Sequence, residues 1–328
     1  MLSSRSAVPR AARCLVLGAI GFLACRPSDK HAKARSTDAT RGDATGVLAA
    51  ADTDDFGRVL PLDASFADRV VSLNPTATEV IFAIGAEAHL VGRSDWDEFP
   101  PAAKEIRAVG NGIRPNVEAV LGLKPTLVIL YATAENRSAA DALARAGVRT
   151  ISLRVDHIAQ FVTLTRRLGV VLGASDRAFT VIDTVTRTLA RVGDATRGVS
   201  VRSIAWPLWQ QPIMVVGKGS YLDELMEIAG GQNVFHDLAA PSPLVNLEEI
   251  ARRDPDLIVT SAKSWATMQE QPQWRAVRAV RERNWLTDHA QLTGRPSVVL
   301  GMAANALAHA LHPELAAQLP PLHRTTPP

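Results

Sequence analysis

One fifteen-residue block occurs twice in the chain, and this repeat limits the fold more than any other feature. Residues 116–130 read NVEAVLGLKPTLVIL and residues 246–260 read NLEEIARRDPDLIVT. Asn, Glu, Pro and Leu recur 130 residues apart, and four further positions exchange only among Val, Ile and Leu. Both copies follow one local plan. Asn116 and Asn246 are placed to cap a helix, and Glu118 and Glu248 fall in its first turn, where the helix dipole favours an anion. Pro125 and Pro255 prevent the helix from continuing. An apolar strand follows each at once. A weaker echo pairs Glu79–Gly85 with Glu224–Gly230, each an acid-led helix ending at glycine. A chain that repeats itself in this way predicts two similar lobes.

Buried-strand patterns at Val70–Leu73, Leu127–Leu130, Thr150–Leu153, Ile213–Val216 and Leu257–Val259 alternate with helix-length stretches. Alternating strands and helices predict an α/β fold with mainly parallel sheets. The lobes are expected at 66–160 and 200–312. The segment 161–199 joins them, with Ile182, Val185, Leu189 and Val192 at helical spacing. A helix over 176–196 is about 30 Å long at 1.5 Å per residue, enough to act as a single stiff connector.

The first 24 residues carry Arg5, Arg10 and Arg13 and an apolar run, CLVLGAIGFLA, followed by Cys25. Eleven apolar residues are too few to span a bilayer and suit a signal peptide. The FLAC sequence resembles a lipoprotein signal, which makes Cys25 the lipidation site; a simple secretory signal is the alternative. Residues 25–65 are polar and read as a flexible tether, and 313–328 as a loose tail. Without the three leader arginines the chain holds 33 basic and 33 acidic residues. No cationic surplus is left for phosphate neutralisation, which argues against nucleic-acid binding. Cys14 and Cys25 are the only cysteines, so the body has no disulfide framework and no cysteine nucleophile.

Motifs for catalysis are missing. Gly217-Lys218-Gly219-Ser220 is no P-loop, because Pro212 stands where the first glycine belongs and Gly219 displaces the hydroxyl residue. There is no G-x-S-x-G and no H-E-x-x-H. The chain is expected not to be an enzyme and to hold no intrinsic cofactor or metal. A two-lobed α/β enzyme is the alternative from another class.

RVVSLNPTATE (69–79), the two repeat blocks, GKGSYLDELMEIAGGQNVF (217–235) and GRPSVVLGMAANALAHALHPE (294–314) resemble the periplasmic binding proteins for vitamin B12, haem and ferric siderophores. These are the substrate-binding components of type II ABC importers. The resemblance covers about residues 66–314. It implies two Rossmann-like lobes joined by one long α-helix, the class III arrangement, with a ligand held in the cleft between them. It further implies a monomer in the periplasm or on the outer membrane face, partnered by a permease and its ATPase.

Flat ligands need apolar walls. Trp96 and Tyr131 match aromatic positions of the vitamin B12-binding type. Trp206 and Trp209 flank the WPLWQQP turn, and Trp265 stands after its strand as Tyr131 does after its own. Ordinary packing is the other reading for each. The loop 109–114 lacks the tryptophan of B12 binders and the axial tyrosine of haem binders, leaving Asn111 as its candidate contact. Ser242 replaces a second tryptophan. His289 is a candidate metal-ligating imidazole or a plain loop histidine, and Arg93, Arg114 and Arg295 are candidates for an anionic chelate, with a solvated surface role as the alternative for each. The resemblance also implies that Glu118 and Glu248, one per lobe, dock on permease arginines. A cobalamin-like corrinoid is the favoured ligand, with a ferric siderophore or haem as the alternative.

Overall fold

Val70–Leu73 (β1) is a four-residue strand with every side chain buried, as an inner strand of a parallel sheet requires. Asn74 then caps α1 (Pro75–Ala83), with Pro75 at the first helical position. β2 (Leu90–Arg93), α2 (Val117–Leu121), β3 (Leu127–Tyr131), α3 (Ala134–Arg145) and β4 (Arg149–Leu153) complete the first sheet. Its order is β2-β1-β3-β4, all parallel, with Val70 opposite Leu127 and Tyr131 opposite Leu153.

Two helices follow, α4 (Ile158–Val171) and α5 (Ser175–Ala195). The second lobe then runs β5 (Arg202–Ala205), β6 (Pro207–Gln210), β7 (Ile213–Val215), α6 (Tyr221–Ile228), β8 (Gly231–Asn233), α7 (Leu247–Arg253), β9 (Leu257–Thr260), α8 (Ala262–Glu270), α9 (Arg278–Arg281), β10 (Trp285–Thr287), α10 (Ala290–Thr293) and α11 (Leu300–Leu311). Its sheet order is β8-β5-β9-β10, again parallel, with the antiparallel hairpin β6–β7 inserted after β5. In each lobe the chain begins on an inner strand, steps to one edge, and crosses back to two strands on the other side. The repeat in the sequence is therefore a repeat of topology.

This computed structural model describes residues 53–60, 67–288 and 290–322. The chain divides into units 1–47 and 48–328, and all the described residues belong to the second. The expected signal peptide and Cys25 lie outside the described residues.

The repeat extends to the backbone. Asn116 Oδ1 accepts from Ala119 N–H at 3.0 Å, and Asn246 Oδ1 from Glu249 N–H at 2.7 Å. Lys124 (φ 49°) and Asp254 (φ 45°), each just before its proline, are both left-handed. Proline excludes the right-handed helical conformation from the residue before it. A chain that must reverse there takes the left-handed turn despite its strain.

α5 is the connector. Val185, Leu189 and Val192 are buried on one face of it. They belong to a core that includes Val80, Ile81 and Leu164 of the first lobe and Leu225, Leu300 and Ala304 of the second. A separate cluster covers the far face of each sheet. The two sheets remain distinct and are braced by one shared apolar layer. α4, expected within the joining segment, packs Phe161, Leu164 and Leu168 into this layer and contacts both α5 and α1.

Two expectations are corrected. Residues 53–60, counted as tether, cover the edge of β4. Asp54 is buried, accepting from Phe56 N–H and Arg58 N–H at 2.9 Å each and from Ser152 N–H at 3.0 Å. Asp55 N–H donates to Ser152 O at 2.9 Å. An unpaired strand edge is a liability, and this strap satisfies part of it. Of the expected loose tail, Leu315 and Leu319 are buried in the shared core.

Candidate functional site

Parallel strands send all their carboxyl ends to one side, and ligands of open α/β sheets bind outside those ends, where the strand order reverses. Here the reversal lies between β1 and β3 and between β5 and β9. The loops leaving these ends meet across the lobes. Thr76 at the start of α1 donates its hydroxyl to the Pro296 carbonyl at 2.8 Å. Tyr221 N–H, opening α6, donates to the Asp156 carbonyl at 2.6 Å. Glu224 of α6 accepts from Ile158 N–H at 2.9 Å and lies 2.7 Å from His157 Nδ1. The second lobe thus supplies the anion at the N-terminus of α4 in the first. In the reverse direction, Arg295 Nε donates to the buried carboxylate of Glu79 in α1.

In the first lobe three candidate positions are tied into one network. Asp95 N–H donates to Gly110 O at 3.0 Å, joining the Trp96 turn to the loop that holds Asn111. Asn136, fully buried, donates to the carbonyls of Gly112 and Tyr131 at 2.9 Å each and accepts from Arg114 N–H at 3.1 Å. Trp96 is 46% exposed, a high figure for a tryptophan and the mark of an indole held at a surface. Tyr131 is half-buried, and its hydroxyl donates to Asp156. Burial and the Asp156 carboxylate both raise the phenol above its ordinary range, so it stays protonated and a donor. Asn111 is exposed but spends its carbonyl oxygen on Ile113 N–H at 2.6 Å.

The second lobe departs from expectation. Trp265, expected to match Tyr131, is the less accessible of the two. It faces inward from α8, is buried, and stacks on Trp285 with centroids 5.0 Å apart and planes 8° apart. Trp206 is likewise enclosed in the shared core. Both rings are packed within hydrophobic clusters. Trp209 is the exposed aromatic of this lobe, on the hairpin, with Nε1 donating to Gln211 O at 2.9 Å. Gln210 Nε2 fastens the hairpin to Ser264 O at 2.8 Å. Arg295 is committed to Glu79, and Arg93 to the carbonyls of Ser94 and Ile106, so neither cation is free for an anionic ligand. His289 lies outside the described residues.

The sequence reading missed three groups at the junction. Asp97 is buried at the foot of the Trp96 turn, with Oδ2 accepting from Ser94 N–H at 2.8 Å. Burial pushes its carboxyl up to about 6, against the opposing pull of the Ser94 N–H, Thr78, Ser94 and Arg93. Burial also raises Glu79, with Arg295 and Ser297 pulling down and Asp97 pushing up. Asp156 joins Tyr131 to Tyr221 of the other lobe. The only sequence signal was the pairing of Glu79 with Glu224 as echoed acids.

The glycines of the GKGS segment serve packing. A Cβ on Gly217 would lie 2.2 Å from Ala240 O, and one on Gly219 2.5 Å from Ala239 O. Glu118 and Glu248 are exposed in the first turns of α2 and α7 and make no ion pair among the described residues.

Twin parallel sheets, a bracing helix and aromatic groups at the strand ends define a two-lobed binding protein of the class III type. The chain belongs to the family described as periplasmic binding protein, whose model matches residues 70–292. It is a binding protein and not an enzyme. It is 27% identical to the vitamin B12-binding protein of Salmonella typhi over 215 residues, 66% of this chain and 80% of that one. The crystal structure of the periplasmic vitamin B12 binding protein BtuF of Vibrio cholerae superposes with a TM-score of 0.67 at 23% identity, covering 75% of this chain and 97% of that one. The periplasmic heme-binding protein RhuT from Roseiflexus sp. RS-1 in apo form gives the same TM-score and identity, covering 76% and 99%.

Proposed function

We infer that this chain is the substrate-binding component of an ABC importer, which takes a cobalamin-like corrinoid between its lobes and delivers it to a permease. The observation that carries this reading is the trio of aromatics with exposed surface at the sheets' carboxyl ends: Trp96 on the turn after β2, Tyr131 at the end of β3 and Trp209 on the hairpin after β5. Flat apolar faces with few free charges suit a bulky, weakly charged macrocycle better than a polyanionic chelate. The names of the vitamin B12-binding relatives support the choice. Haem is the second reading, favoured by the heme-binding neighbours.

The protein acts as a monomer in the periplasm, held to the membrane by lipid on Cys25. Glu118 and Glu248 face the permease, one from each lobe. Their matched caps set two carboxylates, without an ion pair among the described residues, on topologically equivalent helices, which suits a two-fold partner. The deciding experiment is isothermal titration with cyanocobalamin, haemin and a ferric hydroxamate. Saturable binding of cyanocobalamin without turnover supports the reading, and binding of haemin alone replaces it with the second. For docking, charge reversal at both Glu118 and Glu248 is expected to abolish uptake and leave ligand affinity intact. Unchanged uptake removes the docking role.

A further inference from the structure

We propose that Asp97 is the positioning residue for Trp96: its carboxylate holds the turn that presents the indole, and protonating it loosens both the indole and the site's grip on a flat apolar ligand. This rests on the proposed role of Trp96 as a ligand wall.

The turn is built around the Asp97 side chain. Oδ2 accepts from Ser94 N–H at 2.8 Å, and Trp96 N–H then donates to Ser94 Oγ at 3.3 Å. The indole stands 46% exposed above a carboxylate that is itself 1% exposed. Ser94 Oγ and Arg93, whose Nη1 donates to Ser94 O at 2.8 Å, bond the same turn, and Asp97 is its buried acidic member. The other oxygen, Oδ1, and the Thr78 hydroxyl are both buried without a well-formed hydrogen bond. A buried carboxylate left half-satisfied is poor for stability. Its placement is explained by what it holds. An ionised acceptor binds an N–H about twice as strongly as a neutral one, so charge on Asp97 directly sets the stiffness of the turn.

The charged groups facing Asp97 are few. Arg93 approaches from β2 and favours the ionised form. Glu79 approaches from α1 and opposes it, and Arg295 on the far side neutralises Glu79. The burial that raises Asp97 brings its titration to mildly acidic conditions, within reach of an envelope compartment.

The test uses the full chain labelled with 5-fluorotryptophan and followed by fluorine NMR, without ligand. The Trp96 resonance is the one lost in Trp96→Phe. In the wild type it should titrate with a midpoint near 6, the acidity expected for this buried carboxyl, and in Asp97→Asn that transition should be absent. Should Asp97→Asn fail to fold, Asp97→Ser keeps an acceptor for Ser94 N–H and cannot titrate. With cyanocobalamin as probe, wild-type affinity should fall about threefold or more between pH 7.5 and 5.5, and the same ratio in Asp97→Asn should stay within about twofold. A Trp96 resonance that titrates alike in both proteins overturns the proposal, because Glu79 or another group then controls the turn. If neither cyanocobalamin nor haemin binds, the ligand reading falls alone, and the ligand-free titration still decides the role of Asp97.

Discussion

Glu79 and Glu224 occupy matching places on α1 and α6, and each presents its carboxylate to the opposite lobe. Glu79 receives Arg295 from the segment before α11, and Glu224 receives His157 and the Ile158 N–H at the start of α4. Two related halves thus exchange equivalent acids across their junction. The pair is symmetric in position and unequal in environment. The Glu79 side chain is 1% exposed, whereas Glu224 and His157 are 33% and 40% exposed. Together with the shared core on α5, these bonds make a braced junction rather than a free hinge, and ligand binding is expected to move the lobes little.

That inequality gives the first prediction. Glu79→Ala empties a buried position and leaves the partly exposed Arg295 without its anion, and losing one partner of such a pair destabilises by up to about 3 kcal/mol. Glu224→Ala removes a solvent-screened contact, and the ion pair contributes no more than about 1 kcal/mol. Urea denaturation of the two variants should rank them in that order. Equal losses would mean that the junction treats both pairs alike.

The second prediction concerns acidity. Asp97 titrates at about 6 in the fold, above the 3.8 of a free aspartate. A raised carboxyl binds more protons folded than unfolded between those values. Its contribution to stability therefore falls as pH rises from about 4 to about 6 and stays lost above that. The gap corresponds to roughly 3 kcal/mol. Asp97→Asn removes the ionised form and should raise stability at pH 8 by about 1–3 kcal/mol while giving little or nothing at pH 4. Thermal unfolding at both pH values measures this. A variant that gains as much at pH 4 as at pH 8 would contradict the assignment.

The third prediction tests the repeat itself. Lys124 and Asp254 share a left-handed backbone, and both are hydrogen-bonded through it or beside it, but among the described residues only Asp254 is bonded through its side chain, by Arg278 Nε at 2.9 Å. Lys124→Gly relieves strain at little other loss and should stabilise by about 0.5–1 kcal/mol. Asp254→Gly relieves the same strain and forfeits the Arg278 contacts, so its gain should be smaller or absent. Chemical denaturation of both single variants decides the point.

Much of this architecture was legible because local rules fixed it. Asn before a helix, proline after it and an apolar strand behind it gave both copies of the repeat, and the connector expected over 176–196 is Ser175–Ala195. What could not be read depends on how helices turn on their sheets. Trp265 and Tyr131 both follow homologous strands, but Tyr131 ends β3 whereas Trp265 lies one turn into α8. There the face is set by packing, with Met268 buried three residues on. The strap at 53–60 was hidden for another reason. Its polar neighbours read as a tether, and what fixes it is long-range: the Asp54 carboxylate accepts backbone N–H groups, Leu60 is buried in the shared core and Phe56 packs against the first lobe's outer cluster. Cross-lobe acids such as Glu79 announce nothing in sequence about the partner they will meet 216 residues away.

The last prediction separates packing aromatics from binding ones. Trp265 and Trp285 stack inside the second lobe, in a cluster with Met268 and Trp274. Trp265→Ala opens a cavity there and should cost about 3–5 kcal/mol. Its effect on ligand affinity, measured at a temperature where the variant remains folded, should be small because the ring is buried and stacked on Trp285. Trp209 is 64% exposed on the β6–β7 hairpin. Trp209→Ala removes little buried area and should change stability by less than about 0.5 kcal/mol. If the hairpin supplies a wall of the site, the same change should weaken cyanocobalamin about tenfold or more, in the range of about 1.4 kcal/mol or above that a buried ring contributes to binding. Denaturation and calorimetry on the two variants should therefore give opposite patterns. A Trp265→Ala protein that is stable but no longer binds would restore the symmetric wall and remove the hairpin from the site.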